Sequence, residues 1–248
     1  MYGYARGVAG GAGGEDGERP VPIWAREHRR RPSALSRAAI VDAALRIADA
    51  EGIGVVSIRR VAAALGARTM SLYTYIDSKD DLLDLMADQV AGELLIDGEL
   101  PDDWREAITL IARSEREAGL RHPWLVEMVY HRSHAVVGPN VLRHLDQSLA
   151  AVAGLKLDTQ DALRVIAAVD DYMLGFVSRE TREREIAHRT GLSGAEHLSA
   201  VRPYLQRLVD DGEFANLAPL LRGDVAAAEI DFNRGLRWLL DGIEREYS

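Results

Sequence analysis

The stretch LGARTMSLYTYIDSKDDLLDLM, from Leu65 to Met86, decides the fold of the chain. It predicts a short helix over residues 69–76 that carries two tyrosines at its end and is soon followed by Lys79. A cation in the first turn of the next helix is disfavoured by the helix dipole, by roughly 0.3–1 kcal/mol. A bound phosphate would contact both that cation and the free N–H groups of the helix end. The pattern therefore indicates a phosphate-binding surface and a helix in a DNA groove, with a merely solvent-facing lysine as the alternative.

The helices predicted around this stretch form a short series, most of them preceded by serine. Helices are predicted over residues 37–51, 58–65, 69–76 and 79–95. Ser36, Ser57 and Ser78 are placed to cap the first, second and fourth of them. Gly66 ends the second helix and supplies the turn into the third. Two short helices joined by such a turn and packed on another helix form a helix-turn-helix, whose second helix enters the major groove.

The third helix has an apolar side and a polar side. Leu72 and Ile76 lie four residues apart and are predicted to pack inward. At the beginning of the helix, arginine matches the two acceptors of guanine, serine or threonine bonds to several base edges, and methionine offers apolar contact. The side chains placed to reach base edges are Arg68, Thr69, Met70 and Ser71. The phenols of Tyr73 and Tyr75 stand at the far end and suit phosphate oxygens.

The segment from Leu35 to Met86 resembles, without a gap, the DNA-binding head of the TetR (tetracycline-repressor) family. The pattern LG…SLYTYIDSKDDLL carries the resemblance and is more specific than a generic helix-turn-helix. The resemblance implies base contacts from Arg59, Arg68, Thr69, Met70 and Ser71, and backbone contacts from Ser57, Tyr73, Tyr75 and Lys79. Asp80 and Asp81 depart from the pattern, because acidic groups beside the lysine weaken phosphate binding. A capping role for Asp81 explains its presence there.

The charge distribution points to a polyanionic partner for one part of the chain only. The whole chain has a formal net charge of −9. Residues 24–79 nevertheless carry 10 basic and 5 acidic side chains, whereas residues 80–248 carry 18 basic and 31 acidic ones. Such asymmetry favours double-stranded DNA as the partner of the amino-terminal part alone.

Four segments are predicted along the chain. They are a disordered glycine-rich tail over residues 1–23, a basic arm over 24–35, a helix-turn-helix domain over 36–86, and a ligand-binding and dimerisation domain over 87–248. The sequence GVAGGAGG in the tail follows no strand and opens no helix, which argues against a phosphate-binding loop. The arm WAREHRRRP is placed to insert arginines into the minor groove, and a merely solubilising tail is the alternative. Those arginines are Arg29, Arg30 and Arg31.

The rest of the chain is predicted to be helical throughout, so the fold class is all-α. Helices are predicted near residues 103–118, 123–135, 140–153, 159–189, 194–210 and 225–246. The segment HPWLVEMVYHRSHAVVGPNVLRHLDQSLAAVAGLKLD resembles the tetracycline-repressor-type C-terminal domain, which implies a cavity for a small-molecule effector. Large aromatic and methionine side chains suit such a pocket, with ordinary core packing as the alternative. The candidate lining residues are Trp104, Trp124, Met128, Tyr130, His131, Met173 and Phe176.

A homodimer is expected, because one head contacts few phosphates and a two-fold pair can bind a palindrome. Two long helices near the end of the chain carry apolar stripes. The stripes are Leu163, Ile166, Val169, Met173, Phe176 and Val177 in one helix, and Phe232, Leu236, Leu239, Leu240 and Ile243 in the other. The family resemblance implies that similar helices form a four-helix interface across the dimer. The alternative is that the stripes face the core of one monomer.

Composition excludes several other kinds of site. The chain has no cysteine, which excludes disulfides, thiolate zinc sites and cysteine nucleophiles. It has no apolar run of membrane-spanning length and no secretory signal, so a cytoplasmic protein is expected. Glu127, His131 and His134 fall on one helical stripe with His144 nearby, a spacing that can gather a metal ion. Helical histidines are more often hydrogen-bonded within a core, so neither a metal nor a cofactor is predicted.

The function predicted from these features is a ligand-responsive transcriptional regulator. Its simplest form is a repressor released from a palindromic operator by a small apolar or aromatic effector. Ligand binding would shift the helix over residues 79–95 and change the separation of the two heads. One alternative is a constitutive architectural DNA-binding protein. Another is an all-α enzyme using acids and bases such as Asp170, Asp171 and the histidines, but these form no recognisable catalytic motif, and an enzyme is not predicted.

Overall fold

The chain forms helices over most of the part that the structure describes. The structure, a computed structural model, describes residues 22–25, 35–131, 136–210, 214–222 and 230–247. Its α-helices are α1 (Arg37–Glu51), α2 (Ile58–Ala64), α3 (Thr69–Leu72), α4 (Lys79–Glu93), α5 (Trp104–Arg121), α6 (Trp124–His131), α7 (Pro139–Ala151), α8 (Thr159–Thr190), α9 (Gly194–Asp210), α10 (Ala218–Arg222) and α11 (Phe232–Tyr247). No strand occurs among the described residues, which confirms the all-α prediction. Nor does any described helix combine the length and low polarity that a membrane span needs.

The predicted serine caps form at the beginning of three helices. In α1, α2 and α4, the hydroxyl oxygen of the preceding serine accepts a hydrogen bond from the backbone N–H three residues further on. The serines are Ser36, Ser57 and Ser78, with N···O distances of 3.1, 3.2 and 3.0 Å. Each cap satisfies an N–H group that the first turn of a helix leaves without a partner, so it fixes where the helix begins.

The turn between α2 and α3 is fixed by Gly66. Its φ of +63° lies in the left-handed region that favours glycine. The N–H of Ala67 donates to the carbonyl of Ala62 at 2.9 Å, and the N–H of Gly66 donates to the carbonyl of Ala63 at 3.2 Å. This pair of bonds is the Schellman motif that commonly ends helices. The prediction that Gly66 ends the second helix is confirmed.

The third helix is shorter than the predicted range of 69–76. Helix α3 ends at Leu72, and the chain continues in turns through Tyr75. The N–H of Tyr75 donates to the carbonyl of Leu72 at 2.8 Å. This three-residue spacing is tighter than that of an α-helix and is common where helices end. Leu72 and Ile76 are both fully buried, as their spacing predicted.

Two apolar clusters divide the molecule into a head, α1–α4, and a body, α5–α11. The head cluster also receives the beginning of α6, and the body cluster is built mainly from α5, α8 and α11. Ile23 is fully buried in the head cluster, and Trp24 packs partly against it. Ile23 was assigned to the disordered tail, so the packed part of the chain begins earlier than the sequence indicated.

The apolar stripes of α8 and α11 face the core of the monomer. In α8 the buried stripe residues are Ile166, Val169, Met173, Phe176 and Val177, and in α11 they are Phe232, Leu236, Leu240 and Ile243. Leu163 and Leu239 are partly buried. The alternative for these stripes, that they face the core of one monomer, is therefore confirmed for the buried residues, because contacts among α5, α8 and α11 within one chain cover them. The four-helix interface across the dimer stays a prediction. A dimer built on these helices uses their other faces, where Trp238 is 68% exposed.

Three helices of the body, α7, α10 and α11, differ from the sequence prediction. Pro139 is the first residue of α7, a position where its fixed φ and missing N–H cost nothing. Helix α10 was not predicted, because its five residues are too few to show a helical period. Helix α11 is described from Phe232, and the earlier part of its predicted range, residues 225–229, lies outside the described residues.

Candidate DNA interface and ligand-binding body

The side chains predicted to contact bases lie at the outer side of the helix-turn-helix. Arg59, Arg68 and Ser71 are exposed, and Thr69 is half-buried. Met70 is 75% exposed. A single exposed methionine is ordinary on a protein surface, but this one stands at the beginning of α3 between polar groups that can bond to base edges. The geometry leaves all five free to contact a partner, and base contact itself remains a prediction.

The side chains predicted to contact phosphates divide into two groups. Tyr73, which is 44% exposed, and Lys79 lie on the surface. Ser57 and Tyr75 are half-buried, and Tyr75 packs partly against the head cluster. The Ser57 oxygen accepts the N–H of Arg60, but its own hydroxyl proton is still available to a phosphate. Their contacts with the DNA backbone therefore remain a prediction for all four residues.

Some cations of this surface form an ion pair with a carboxylate and others do not. Arg60 is paired with Glu51 at 2.6 Å. Within the described part of the chain, Arg59, Arg68 and Lys79 make no ion pair. Unpaired cations on one surface attract a polyanion more strongly than paired ones, because no local carboxylate cancels their field.

The aspartates after Lys79 do not both lie beside it on the surface. Asp81 is only 6% exposed, and its N–H donates to the Ser78 oxygen. Asp80 is exposed. One carboxylate is thus turned away from the surface, and the acidic pair weakens a phosphate site less than the sequence suggested.

Helix α4 of the head is hydrogen-bonded both to α1 within the head and to α7 of the body. The Asp88 Oδ1 atom accepts bonds from the N–H groups of Asn140 and Val141, at 2.8 and 3.1 Å, and so caps the first turn of α7. The next residue, Gln89, donates from Nε2 to Asp42 Oδ1 on α1 at 2.6 Å. Burial raises the pKa of the Asp88 carboxyl above its ordinary value, and the two backbone bonds partly oppose that rise.

A second link joins α1 directly to the corner between α5 and α6. The Trp124 Nε1 atom donates to Asp49 Oδ1 at 2.7 Å, and His122 Nδ1 lies 2.7 Å from the same oxygen. His122 Nε2 lies 3.3 Å from Glu93 Oε2 on α4. His122 and Trp124 are 8% and 3% exposed, so these bonds are largely shielded from water. Sequence reasoning missed this link, because its partners are 73 and 75 residues apart.

The predicted pocket residues do not form one group. Trp124 and Met128 belong to the head cluster, whereas Trp104, Met173 and Phe176 pack in the body cluster. Two open grooves of about 390 and 560 Å³ occur on the body, and neither is lined by any of the five predicted residues whose side chains the structure describes. The first groove lies between α6 and the second half of α8, and the second lies between α5 and α11. The role of the five described residues as pocket lining remains a prediction.

Several predicted site residues lie outside what the structure describes. They are the arm residues Arg29, Arg30 and Arg31, the side chains of Tyr130 and His131, and His134 of the candidate metal stripe. Among the described residues there is no group of three or more side chains placed to hold a metal ion. His144, the remaining histidine considered near that stripe, is engaged by a carboxylate instead.

The body contains a buried polar cluster formed by Glu115 of α5, His144 of α7 and Asp170 of α8. Their exposed fractions are 4%, 2% and 6%. Glu115 Oε1 lies 2.7 Å from His144 Nε2. Among the described residues, Glu115 Oε2 and His144 Nδ1 have no hydrogen-bond partner. Burial, and secondly the charge of Glu115, raise the pKa of Asp170 to about 6.

An exposed helix-turn-helix on a head that is hydrogen-bonded to a larger helical body defines a DNA-binding regulator with a second domain. Residues 40–86 match the family model described as bacterial regulatory proteins of the tetR family. Residues 97–247 match the model described as the tetracyclin repressor-like C-terminal domain. The chain belongs to the TetR family of bacterial transcriptional regulators, and the resemblance found in its sequence is confirmed.

Relatives of similar length extend over both head and body. The chain is 36% identical to the HTH-type transcriptional repressor DrrR1 of Streptomyces coeruleorubidus over 222 residues, which cover 87% of this chain and 81% of that protein. It is 34% identical to an HTH-type transcriptional regulator of Saccharopolyspora erythraea, over 90% of this chain and 92% of the relative. The similarity therefore does not stop at the DNA-binding head.

Solved structures share the same arrangement of helices. The structure of BioQ with its double-stranded DNA operator has a TM-score of 0.53 and 28% identity, and covers 63% of this chain and 93% of that one. ActR of Streptomyces coelicolor in complex with actinorhodin has a TM-score of 0.69 and 23% identity, over 87% of this chain and 98% of that one. The likeness to the ActR complex concerns the fold alone.

Proposed function

We propose that this protein is a dimeric repressor that binds a palindromic operator and is released from it by a small apolar or aromatic effector. The observation that carries the proposal is the pair of hydrogen-bonded links from the body to α1 and α4 of the head. The DrrR1 relative, itself named a repressor, supports repression as the direction of control. The protein acts in the cytoplasm, where its operator is found.

In this proposal α3 enters the major groove of one half-site. The residues that contact base edges are Arg59, Arg68, Thr69, Met70 and Ser71, and those that contact phosphates are Ser57, Tyr73, Tyr75 and Lys79. Support comes from the exposure of α3 and from the three cations of this surface that form no ion pair in the described part of the chain. The two heads of a dimer then read two half-sites about one helical turn, ~34–36 Å, apart or a multiple of it.

The switch in this proposal uses both links between body and head. A ligand that displaces α7 pulls on Asp88 and hence on α4, and a ligand that displaces α6 pulls on Asp49 through Trp124. Either displacement changes the orientation of the head against the body. The ligand must bind the released state more tightly than the DNA-bound state, because only a difference in affinity shifts the equilibrium between them.

The experiment that tests the proposal is a selection of genomic DNA fragments by the purified full-length protein. We expect the recovered fragments to share a palindrome, and titration should show two protein chains per site. Small molecules related to the products of the neighbouring genes are then added to the complex, and at least one should release the DNA. Fragments without any shared two-fold symmetry, or the absence of sequence-selective binding, would rule the proposal out.

A further inference from the structure

The groove between α5 and α11 is framed by side chains that cross from one helix to the other. At one end, Arg105 of α5 bonds to Glu244 of α11 at 2.9 Å and also to Asp241. At the other end, the Arg113 Nε atom donates to Asn233 Oδ1 at 3.0 Å. The groove of about 560 Å³ lies between these two crossings. Small-molecule sites commonly have volumes of about 300–1,000 Å³, so the groove is large enough for one.

The lining of the groove has an apolar part. Leu240 is buried at 3% exposure, and Leu110 and Pro101 are half-buried. Thr109 adds a hydroxyl between the two crossings. Binding sites for organic molecules are mostly apolar, with a few polar groups that fix the orientation of the ligand. The groove offers both kinds of contact.

The cations of the groove differ in how much of each guanidinium group is already bonded. Arg105 is held by two carboxylates, whereas Arg113 bonds to a neutral amide through Nε alone. Within the described part of the chain, the two terminal nitrogens of Arg113 and the whole guanidinium group of Arg237 have no partner. Arg237 lies one helical turn after Asn233, close to the crossing made by Arg113. The carboxylate in the lining, Glu106, precedes Arg113 by two turns, roughly 10 Å along α5.

We propose that the groove between α5 and α11 binds a small organic carboxylate. The carboxylate accepts hydrogen bonds from Arg113 and Arg237, and the apolar part of the ligand lies along Leu110 and Leu240. The planar guanidinium group matches a carboxylate with two parallel N–H donors, and such charged bonds are stronger than neutral ones. The site goes beyond the proposed function, because it requires neither DNA nor the links between body and head.

The two parts of the lining together select an organic anion. An inorganic anion such as phosphate would use the two arginines but would leave the apolar side chains without a contact. A neutral aromatic molecule would use the apolar side chains but would leave the arginines without an acceptor. Each of these ligands should therefore bind more weakly than a molecule that carries both groups.

The test compares 1-naphthoate with its neutral analogue 1-naphthamide and with inorganic phosphate. Binding to the full-length protein is measured by titration calorimetry or ligand-observed NMR at neutral pH and low salt. We expect 1-naphthoate to bind roughly fivefold or more tightly than either of the others, as for a partly exposed bond between charged groups. Arg237→Gln should remove most of this preference, because it shortens the side chain little and removes its charge.

The matched control is Arg245→Gln, which removes an exposed cation from the same helix outside the groove and should leave the preference unchanged. Arg113→Gln is a second variant with the same expectation as Arg237→Gln. Both arginines are exposed, so both variants should fold, and thermal unfolding checks this.

Four results would overturn the proposal. They are equal binding of 1-naphthoate and 1-naphthamide, failure of 1-naphthoate to bind, a preference that survives in both groove variants, and an equal loss of preference in the Arg245 control. Phosphate that binds as tightly as 1-naphthoate would also overturn it, because the apolar lining would then contribute nothing. Operator binding should be the same in all these variants, so the proposed function is tested separately.

Discussion

The head and the body hold their charged side chains in opposite ways. In the head, Arg59, Arg68 and Lys79 are exposed and make no ion pair in the described part of the chain. In the body, Glu115 and Asp170 are buried at 4% and 6% exposure. Exposed cations act on any polyanion over a distance that salt limits to about 8–10 Å. Buried carboxylates act on the groups packed beside them, as Glu115 acts on His144 at 2.7 Å.

Selectivity therefore arises in a different way in the head and in the body. An exposed charge attracts every DNA sequence alike, so the head needs base contacts in addition to recognise one of them. A buried charge is costly when it is unpaired, so a charged group inside the body is held only where other groups bond to it. Five substitutions, each with a control variant, can test this contrast between head and body.

The largest change in stability is expected for a substitution at Gly138, where the body packs closely against α4. A Cβ atom on Gly138 would lie 2.8 Å from Asp88 Cβ and would overlap the carboxylate that caps α7. Gly138→Ala should therefore lower the free energy of unfolding by about 2–4 kcal/mol, through crowding and loss of the cap. Urea unfolding measures this change. Gly175→Ala, whose added Cβ meets nothing within 4 Å inside α8, should instead raise stability slightly; equal behaviour of the two variants would refute the crowding argument.

The second prediction concerns the pH dependence of stability in the body. The pKa of Asp170 is raised from 3.8 to about 6, mainly by burial. The folded protein therefore keeps this proton at pH values where the unfolded chain has lost it. The free energy of unfolding should fall as the pH rises from about 4 to 6, by on the order of 1–3 kcal/mol, and Asp170→Asn should remove this fall. The exposed Asp171→Asn is the control in urea titrations at several pH values, and a fall that persists in Asp170→Asn contradicts the assignment.

The third prediction addresses base recognition by the head. Arg68→Ala should cost about 1–3 kcal/mol at particular base pairs of the operator, because arginine matches the two acceptors of guanine. Binding to a set of single-base operator variants measures the loss position by position. Arg60→Ala is the matched control, since Arg60 is held by Glu51 at 2.6 Å and should not change the sequence preference. If Arg68→Ala weakens all operator variants equally, Arg68 contacts phosphate rather than bases.

The fourth prediction tests whether the hydrogen bond from Trp124 of α6 to Asp49 of α1 couples the body to the head. Trp124→Phe keeps an aromatic side chain, though a smaller one, and removes the N–H that donates to Asp49 at 2.7 Å. We expect a loss of about 1–2 kcal/mol in stability, as for a hydrogen bond to a charged group, and a change in operator affinity. Trp238→Phe, at a residue 68% exposed, should change neither quantity measurably. A loss of stability with unchanged DNA affinity would show that this bond supports the fold without coupling head to body.

The smallest effect is expected for the exposed lysine of the head. Lys79→Ala should weaken binding to all DNA sequences alike and reduce the salt dependence of log K by about 1. Binding at several salt concentrations, to the operator and to unrelated DNA, measures both quantities. Arg245→Ala, an exposed cation near the end of α11, should leave the slope unchanged. Weaker binding to the operator alone would argue against a phosphate contact.

The head could be predicted in some detail because its signals are local. The serine caps, the glycine turn and the inward spacing of Leu72 and Ile76 each depend on residues within a few positions of one another. The end of α3 could not be predicted in the same way. The helix ends where the N–H of Tyr75 donates to the carbonyl of Leu72, three residues back. Neither residue type predicts that this bond forms.

The body could be predicted only as a class, because its decisive contacts join distant residues. Glu115 and His144 are 29 positions apart, and Trp124 bonds to a residue 75 positions before it. A glutamate in the sequence is ordinarily assigned to the surface. The one available signal was its position at the helical spacing of Ile108 and Ile111, where a charged residue is out of place.

Ile23, which comes just before the predicted basic arm in the sequence, is buried in the head cluster. Leu35, at the end of the predicted arm, packs partly against the same cluster. Removing the residues up to Trp24 would therefore take an apolar side chain out of the head core, so a truncation meant to delete only a tail should also lower the stability of the head.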